Sequence, residues 1–505
     1  MKLDKLIERV GTVKVTGDTA IEIGGIFYDS REVIPGGLFF AVRGLKTDGH
    51  NFIDDAVAKG AAAVVVEEDI EIPGVTTVRV PDSRAAMGTF AASFYDHPSM
   101  DLKLIGVTGT NGKTTVCYIT EEIIRAANKS PGVIGTIDYR YLRKSIVPPH
   151  TTPEAADLLK LMREMVESGV THVAMEVSSH ALDLNRVDPC MFDAVVFTNL
   201  TQDHLDYHGT MEEYFESKAR FFTELINRDK KTVSVINVDD PWGKKLVSRI
   251  DGKVVTFGLD RGADIYPAAF ESDTGGVWGK IVTPGGSFDF RSNLLGRHNI
   301  YNILSAVGAA LGAGIEMEAV RRGINGKITV PGRLEAVDRG QDFLVLVDYA
   351  HTDDALKNVL STLKPLTEGR LITLFGCGGD RDKNKRPKMA AAAARLSDRV
   401  IVTSDNPRTE EPDKIIEDIL EGFEGAEIEK VEPAPGSFEG KGRAYTVIPD
   451  RRDAIAFAVS EAKKGDIVLV AGKGHEDYQI IGTKKYPFDD RIEAEKGLKD
   501  RGKDG

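Results

Sequence analysis

Cysteine is scarce and scattered, with three among 505 residues, at Cys117, Cys190 and Cys377. Such wide spacing gives neither a disulfide framework nor a paired CxxC metal site, so the thiols are expected to be reduced and structural. Long apolar runs are missing too. The opening stretch MKLDKLIERVGTVKVTGDTA carries a charge every few positions and offers no signal peptide, and no later segment is long and apolar enough to span a bilayer. The expectation is a cytoplasmic protein without membrane insertion. An excess of basic charge is also absent. The formal net charge of -13 argues against sequence-independent binding to nucleic acid or anionic membrane, although basic residues gather between Arg381 and Lys388. Anionic ligands would need local pockets. There is no internal repeat, and no low-complexity tract beyond the short Ala390 to Ala394 run, which suits a helix.

Apolar material is plentiful at 41% of the residues, and the length suggests about three domains. In residues 1–98 short strands mix with a βα unit, helical spacing over Asn51 to Gly60 leading into the buried run Ala61 to Val66. The turn at Asp96-His-Pro-Ser99 marks a boundary. Residues 99–331 alternate strand and helix: Ile105 to Thr108, a helix to about Ala127, a helix over Pro153 to Ser168, and strands His172 to Val177 and Ala194 to Thr198. That order predicts βαβ units around a mainly parallel sheet. Pro331-Gly332 breaks the pattern. Residues 332–505 alternate again, with strands Phe343 to Val347, Leu371 to Phe375, Val400 to Thr403 and Ile467 to Val470 and helices Ala355 to Leu363 and Met389 to Leu396. The fold class is α/β, a central parallel-sheet domain flanked by an N-terminal α/β domain and a C-terminal Rossmann-like one.

The stretch GVTGTNGKTT, Gly106 to Thr115, follows a strand and opens a helix. The strict phosphate-loop template requires glycine at 107, where valine stands, so the pattern shortens to Gly109-Thr110-Asn111-Gly112-Lys113-Thr114. The physics survives. Glycines let backbone N–H groups point at phosphates, the helix N-terminus adds positive potential, Lys113 neutralises β/γ oxygens, and the Thr114 hydroxyl can hold Mg²⁺. Nucleoside triphosphate binding follows, but switches, motors, kinases and ligases all share such a loop. Further polar residues end the neighbouring strands: Glu176, Ser178 and His180 after one, and Asn199 to His208 after the next. Carboxyl ends of adjacent parallel strands face one crevice, where a carboxylate and an imidazole could ligate a divalent metal.

Together with HTTP (150–153), MEVSSHAL (175–182), NLTQDHLDYHG (199–209), SKARFF (217–222), GRHNIYN (296–302), PGRLE (331–335), VDYAHTDDAL (347–356), GCGGDRDKNKRPKM (376–389), SDNPR (404–408) and AGKGHEDYQ (471–479), the loop resembles the Mur ligases of peptidoglycan synthesis. The resemblance runs in order from about Tyr28 to Asp489. One departure is Asp353, where the family usually has proline. The resemblance implies an ATP-dependent amide-forming ligase that makes an acyl phosphate on the D-glutamate carboxylate of a UDP-muramoyl dipeptide. ATP would lie on Gly109, Thr110, Asn111, Gly112, Lys113, Thr114 and Thr115, with Asn299, Arg333, Asp348 and His351 completing the pocket at a domain seam. Thr114 would hold one Mg²⁺, and Glu176 and His204 would serve a second metal site. Lys218, read blind as a solvated helix residue, matches the family's lysine that takes up CO₂ as a carbamate. A neutral amine is the physical requirement.

The resemblance also assigns Tyr28, Ser30, Leu45, Lys46 and Thr47 to the UDP end of the substrate, and His150, Thr151, Thr152, Ser178, Leu184 and Arg186 to the muramoyl dipeptide. DNPR is the pattern of members that add meso-diaminopimelate rather than L-lysine. Arg381, Asp405, Asn406, Pro407, Arg408, Gly472 and Glu476 would form that pocket, the guanidinium of Arg408 pairing bidentately with the distal carboxylate and Glu476 opposing the distal ammonium. Partners are therefore small molecules, with no nucleic acid, and a monomer is the expectation. An L-lysine-adding ligase, a folylpolyglutamate synthetase-like ligase and a non-catalytic nucleotide-binding scaffold are the alternatives.

Overall fold

The computed structural model describes residues 1–11, 13–44, 47–226, 230–440 and 442–501. The chain packs as two compact units, one formed by Met1–Phe270, Gly279–Phe290 and Ile300–Gly326, the other by Glu271–Trp278, Arg291–Asn299 and Lys327–Gly505.

The first unit holds two sheets. The front sheet orders its strands Lys14–Thr16, Thr76–Arg79, Ala63–Val66, Gly37–Phe40, Gly25–Phe27, all parallel except the first. Its two faces follow the period of two: Leu38, Phe40, Ala63 and Val65 enter one core, and Phe39, Val64 and Val66 enter another beneath the helix Ile53–Ala58. The helix Ser83–Phe94, capped by Asp82, covers the first face, with Phe90 edge-on to Phe40 at 5.3 Å between centroids. The central sheet runs Lys253–Phe257, Val233–Asn237, Ala194–Phe197, Lys103–Thr108, His172–Glu176, Pro131–Ile134 in parallel, then closes with an antiparallel edge, Tyr139–Tyr141 and Lys144–Ile146. One hydrophobic cluster joins the sheets, Leu38, Phe40 and Phe90 sharing it with Leu104, Leu158, Met175 and Phe197.

The second unit is a seven-stranded sheet in the order Glu335–Ala336, Leu344–Asp348, Ile467–Ala471, Leu371–Phe375, Arg399–Val402, Ala444–Val447, Glu429–Lys430, antiparallel only at the first pair. Runs such as LITLF and IVLVA are buried along their whole length, as parallel strands covered on both faces must be. The α/β reading holds. Three features differ from the strand–helix alternation expected from the residues: the antiparallel edge of the central sheet, a three-stranded meander over Tyr266–Asp273, Gly276–Thr283 and Gly286–Ser292, and a hairpin of Tyr478–Ile481 with Lys484–Pro487. All three cysteines are free and buried, and burial pushes the Cys190 and Cys377 thiols up to about 12. Among the described residues no helix is long and apolar enough to cross a membrane.

Candidate active site

The phosphate loop joins the strand Lys103–Thr108 to the helix Lys113–Ala126. Its geometry depends on two glycines. Gly109 (φ +144°) and Gly112 (φ +89°) adopt left-handed backbone, and a Cβ there would come within 1.9 Å of Thr198 Oγ1 and 2.4 Å of Asn302 Oδ1 respectively. Gly109 thus takes the place that the template gave to position 107. Asn199 fixes the loop from the next strand: its carbonyl accepts from Thr110 N at 2.9 Å and its side-chain oxygen from Asn111 N at 2.9 Å. The Lys113 ammonium donates to Gly109 O at 3.0 Å and Thr110 O at 2.9 Å, which holds its charge over the loop.

Glu176 ends the strand His172–Glu176 beside the loop strand and is 2% exposed. Its carboxylate accepts from Thr114 Oγ1 at 2.9 Å, Thr136 N at 2.9 Å and Thr136 Oγ1 at 3.1 Å. Lys218 approaches the loop from the helix Met211–Thr223. It is 1% exposed, donates to Gly109 O at 3.1 Å and lies 4.6 Å above the Tyr214 ring. Burial first and the Lys113 charge second hold its pKa well below the usual lysine range. His204 sits at φ +52° before the short helix Leu205–His208, its ring 5.1 Å from that of His180 and 6.1 Å from that of Tyr214. A hydroxyl contact of 3.3 Å ties Tyr214 to Thr110. Loop, Glu176 and Lys218 therefore form one bonded cluster, with His204 packed on its Tyr214 side.

The expected dipeptide residues continue that cluster. Thr136 Oγ1 meets Thr151 Oγ1 at 3.1 Å; Thr152 donates to Glu176 O at 2.8 Å and accepts from Ser178 N at 3.2 Å. Arg186, 8% exposed, donates to Thr152 O at 2.9 Å and pairs at 2.8 Å with Glu154, whose other oxygen takes Arg84 at 2.7 Å. The His150 carbonyl accepts from the Tyr139 hydroxyl, and Leu184 caps the helix Ser179–Asp183. Tyr28 donates to Asp157 at 2.5 Å, Ser30 is buried nearby in sequence, and the Thr47 carbonyl accepts from Gly44 N at 2.8 Å. Leu45 and Lys46 lie outside the described residues. The residues alone did not single out Thr136 or Glu154, while Asn199 belongs to the polar strand end Asn199 to His208 read from the sequence. Each stands at or just past a strand's carboxyl end or beside a recognised motif, the positional signal that was open to use.

Two groups form in the second unit. Asp348 accepts from Leu334 N and Ala350 N at 2.8 and 2.9 Å, and burial lifts its pKa against the pull of Arg333. Arg333 lies 5.3 Å over the Tyr349 ring, while His351 Nδ1 meets Tyr349 O at 2.9 Å. Asn299 donates to Leu295 O at 2.7 Å. The departure at Asp353 is harmless, because it opens a helix capped by Thr352, where an acidic first turn serves as well as proline. In the second group the segment Asp405 to Arg408 follows the strand Arg399–Val402. Arg408 (φ +51°) donates to Gly379 O at 2.8 Å and its backbone bridges to the hairpin, while Pro407 O packs on Gly379. Gly378 lies between the side chains of Arg408 and Arg381, the latter exposed and donating to Asp380 O. Glu476 accepts from Asn406 Nδ2 at 3.0 Å, and Gly472 (φ +118°) lies against Asp405. Asp405 is buried; burial would raise its pKa, but Lys473 and then Arg451 hold it below the usual carboxylate range.

A strand-to-helix phosphate loop, a buried lysine on its first carbonyl and a polar strand-end network define a nucleotide-dependent enzyme of the Mur ligase family, and the chain belongs to it. Residues 22–95 match the family's catalytic-domain description, 107–310 the middle domain and 332–474 the glutamate ligase domain. Two relatives named UDP-N-acetylmuramoyl-L-alanyl-D-glutamate–2,6-diaminopimelate ligase, from Geobacter metallireducens and Geobacter sulfurreducens, are each 49% identical over 98% of this chain and 98% of their own. A solved structure of a ligase of that name superimposes with a TM-score of 0.73 at 35% identity, covering 99% of both chains.

Proposed function

We propose that this chain is an ATP-dependent ligase that adds meso-2,6-diaminopimelate to UDP-N-acetylmuramoyl-L-alanyl-D-glutamate in peptidoglycan precursor synthesis, with residues 1–98, 99–331 and 332–505 serving the uridine nucleotide, ATP and the amino acid. The observation that carries the reading is Lys218, a buried amine bonded to the first carbonyl of the phosphate loop. An ordinary nucleotide switch has no use for such a group, whereas a neutral amine can add CO₂ and become a carboxylate on a long arm.

In the proposed reaction a D-glutamate carboxylate oxygen attacks the γ-phosphorus and ADP leaves. The amine then attacks the acyl carbon and loses a proton, the C–O bond breaks with its electron pair leaving on phosphate, and an amide remains. Lys113 and the loop N–H groups offset charge on the triphosphate. Arg186, held by Glu154 and Thr152 O, steadies the dipeptide's own charge. The donors present suit Mg²⁺, since Thr114 and Glu176 supply hard oxygens in contact with each other. That fits a cation which takes one or two carboxylates and completes its shell with phosphate oxygens and water. When bound, Mg²⁺ would neutralise the phosphates at Thr114, with Glu176 and His204 near a second ion.

The test is ADP release by the full chain with UDP-muramoyl dipeptide and a panel of diamino acids. Turnover that requires both dipeptide and meso-diaminopimelate supports the proposal. Equal use of L-lysine would overturn the amino-acid assignment alone, and turnover with a folate acceptor instead would overturn the reaction.

A further inference from the structure

We propose that Lys473 is the positioning residue of the diamino-acid pocket, fixing the orientation of the Asn406 amide and balancing the Asp405 charge before substrate arrives. The inference rests on the reading of the Asp405 to Arg408 segment as that pocket.

Lys473 has no exposed surface, a costly position for an ammonium unless it is matched on every side. It stands between Gly472 (φ +118°) and Gly474 (φ +53°). A Cβ at Gly474 would come within 2.9 Å of the Tyr349 backbone, so the chain is pressed close there and turns the lysine inward. Its Nζ donates to Asn406 Oδ1 at 2.9 Å and to Tyr478 O at 2.8 Å, and lies 3.1 Å from Asp405 Oδ1 and 3.8 Å from Glu476 Oε2.

Two consequences follow. Asn406 Oδ1 takes a second donor, Ile480 N at 2.9 Å. With both donors on the oxygen, the amide cannot flip, and its NH₂ must face Glu476 Oε2 at 3.0 Å. The carboxylate expected to meet the substrate ammonium is thereby held by a group that Lys473 orients. The contact with Asp405 is different in kind. It has ion-pair distance but lies off the hydrogen-bonding direction, so Asp405 Oδ1 has no hydrogen-bond donor among the described residues. Lys473 therefore balances the Asp405 charge where Oδ1 is buried, and its directed hydrogen bonds go to Asn406 and Tyr478. It also ties the segment to the hairpin through Tyr478 O, beside the bridge from Arg408 N to Ile480 O at 3.0 Å.

The test uses the full chain and ADP release, with thermal melts alongside. In Lys473→Met the KM for meso-diaminopimelate is expected to rise on the order of a hundredfold, as when one side of a buried pair is removed. The KM for ATP should stay near wild type. Loss of the ammonium raises the pKa of Asp405 and Glu476, so the acid limb of kcat/KM for the amino acid should move to higher pH. Lys473→Arg, which keeps the charge, should show a smaller change. If Lys473→Met does not fold, Lys473→Met/Asp405→Asn removes the pair together and is compared with Asp405→Asn alone. A KM for the amino acid at least about tenfold above the single variant supports the amide-orienting role. A KM within threefold of its reference and an unmoved acid limb would overturn the proposal. Failure of the wild-type chain to use diaminopimelate would instead sink the pocket reading beneath it.

Discussion

Lys218 occupies a place that a helix normally gives to leucine. Tyr214, Phe215, Phe221 and Phe222 are buried around it at helical spacing, so the apolar stripe itself puts the lysine inside. Read as a lone lysine it passes for surface; read with its neighbours, the periodicity reveals it. Lys218→Ala is expected to lose nearly all activity and to regain part of it with short carboxylic acids, measured by ADP release; activity near wild type without additive would reject the carbamate role. Stability gives an independent check. The folded pKa lies below the usual 10.5, so between those values the unfolded chain binds more protons, and the lysine's contribution to stability rises with pH and is lost as pH falls. Melting temperatures of wild type and Lys218→Met should diverge in that direction, the variant being flatter with pH. Arg408→Ala should remove most of a preference for diaminopimelate over L-lysine that is on the order of a thousandfold in kcat/KM. Equal ratios in variant and wild type would count against it. The phosphate loop was legible because its chemistry is local; Lys473 was not, because the Asn406 amide that it orients lies 67 residues away, where no spacing rule reaches.

Elements were legible where one period ran unbroken. The strand expected over Leu371 to Phe375 is present with those bounds, and the helix expected to about Ala127 is Lys113–Ala126. The hairpin at Tyr478–Pro487 and the Tyr139–Ile146 edge were not read, since strands of three or four residues with charged or exposed positions lack a clear alternation. Two predictions belong here. Gly112→Ala puts a Cβ against Asn302 and forces left-handed backbone on alanine, so it should cost roughly 1–3 kcal/mol and weaken ATP use, read by denaturation and by the KM for ATP. Thr210→Ala breaks a capping box, in which Thr210 Oγ1 accepts from Glu213 N at 3.2 Å while Glu213 accepts from Thr210 N at 3.1 Å. About 1 kcal/mol should be lost from the helix that carries Lys218. A loss of activity without loss of stability would contradict a capping role.

For the molecule as a whole, the front sheet keeps a core of its own on one face and shares a second cluster with the phosphate-loop sheet on the other. Calorimetry of the intact chain should therefore show ADP and the UDP-muramoyl dipeptide each shifting the same transition, by about 2.7 kcal/mol at a hundred times Kd. Separate shifts of two transitions would show that the sheets unfold independently. Removal of residues 1–95 is expected to yield aggregated protein rather than a folded ATP-binding remainder.

Gly88 shows what that shared core means for anyone recombining such chains. A Cβ there would touch Pro189 at 3.3 Å and Ala155 at 3.6 Å, so the helix Ser83–Phe94 lies nearly backbone to side chain on the helix Ala155–Glu167. A front sheet borrowed from a relative brings its own residue to that contact. Any chimera joined near residue 98 takes these two helices from different parents, so it must carry glycine at the crossing to keep that close contact.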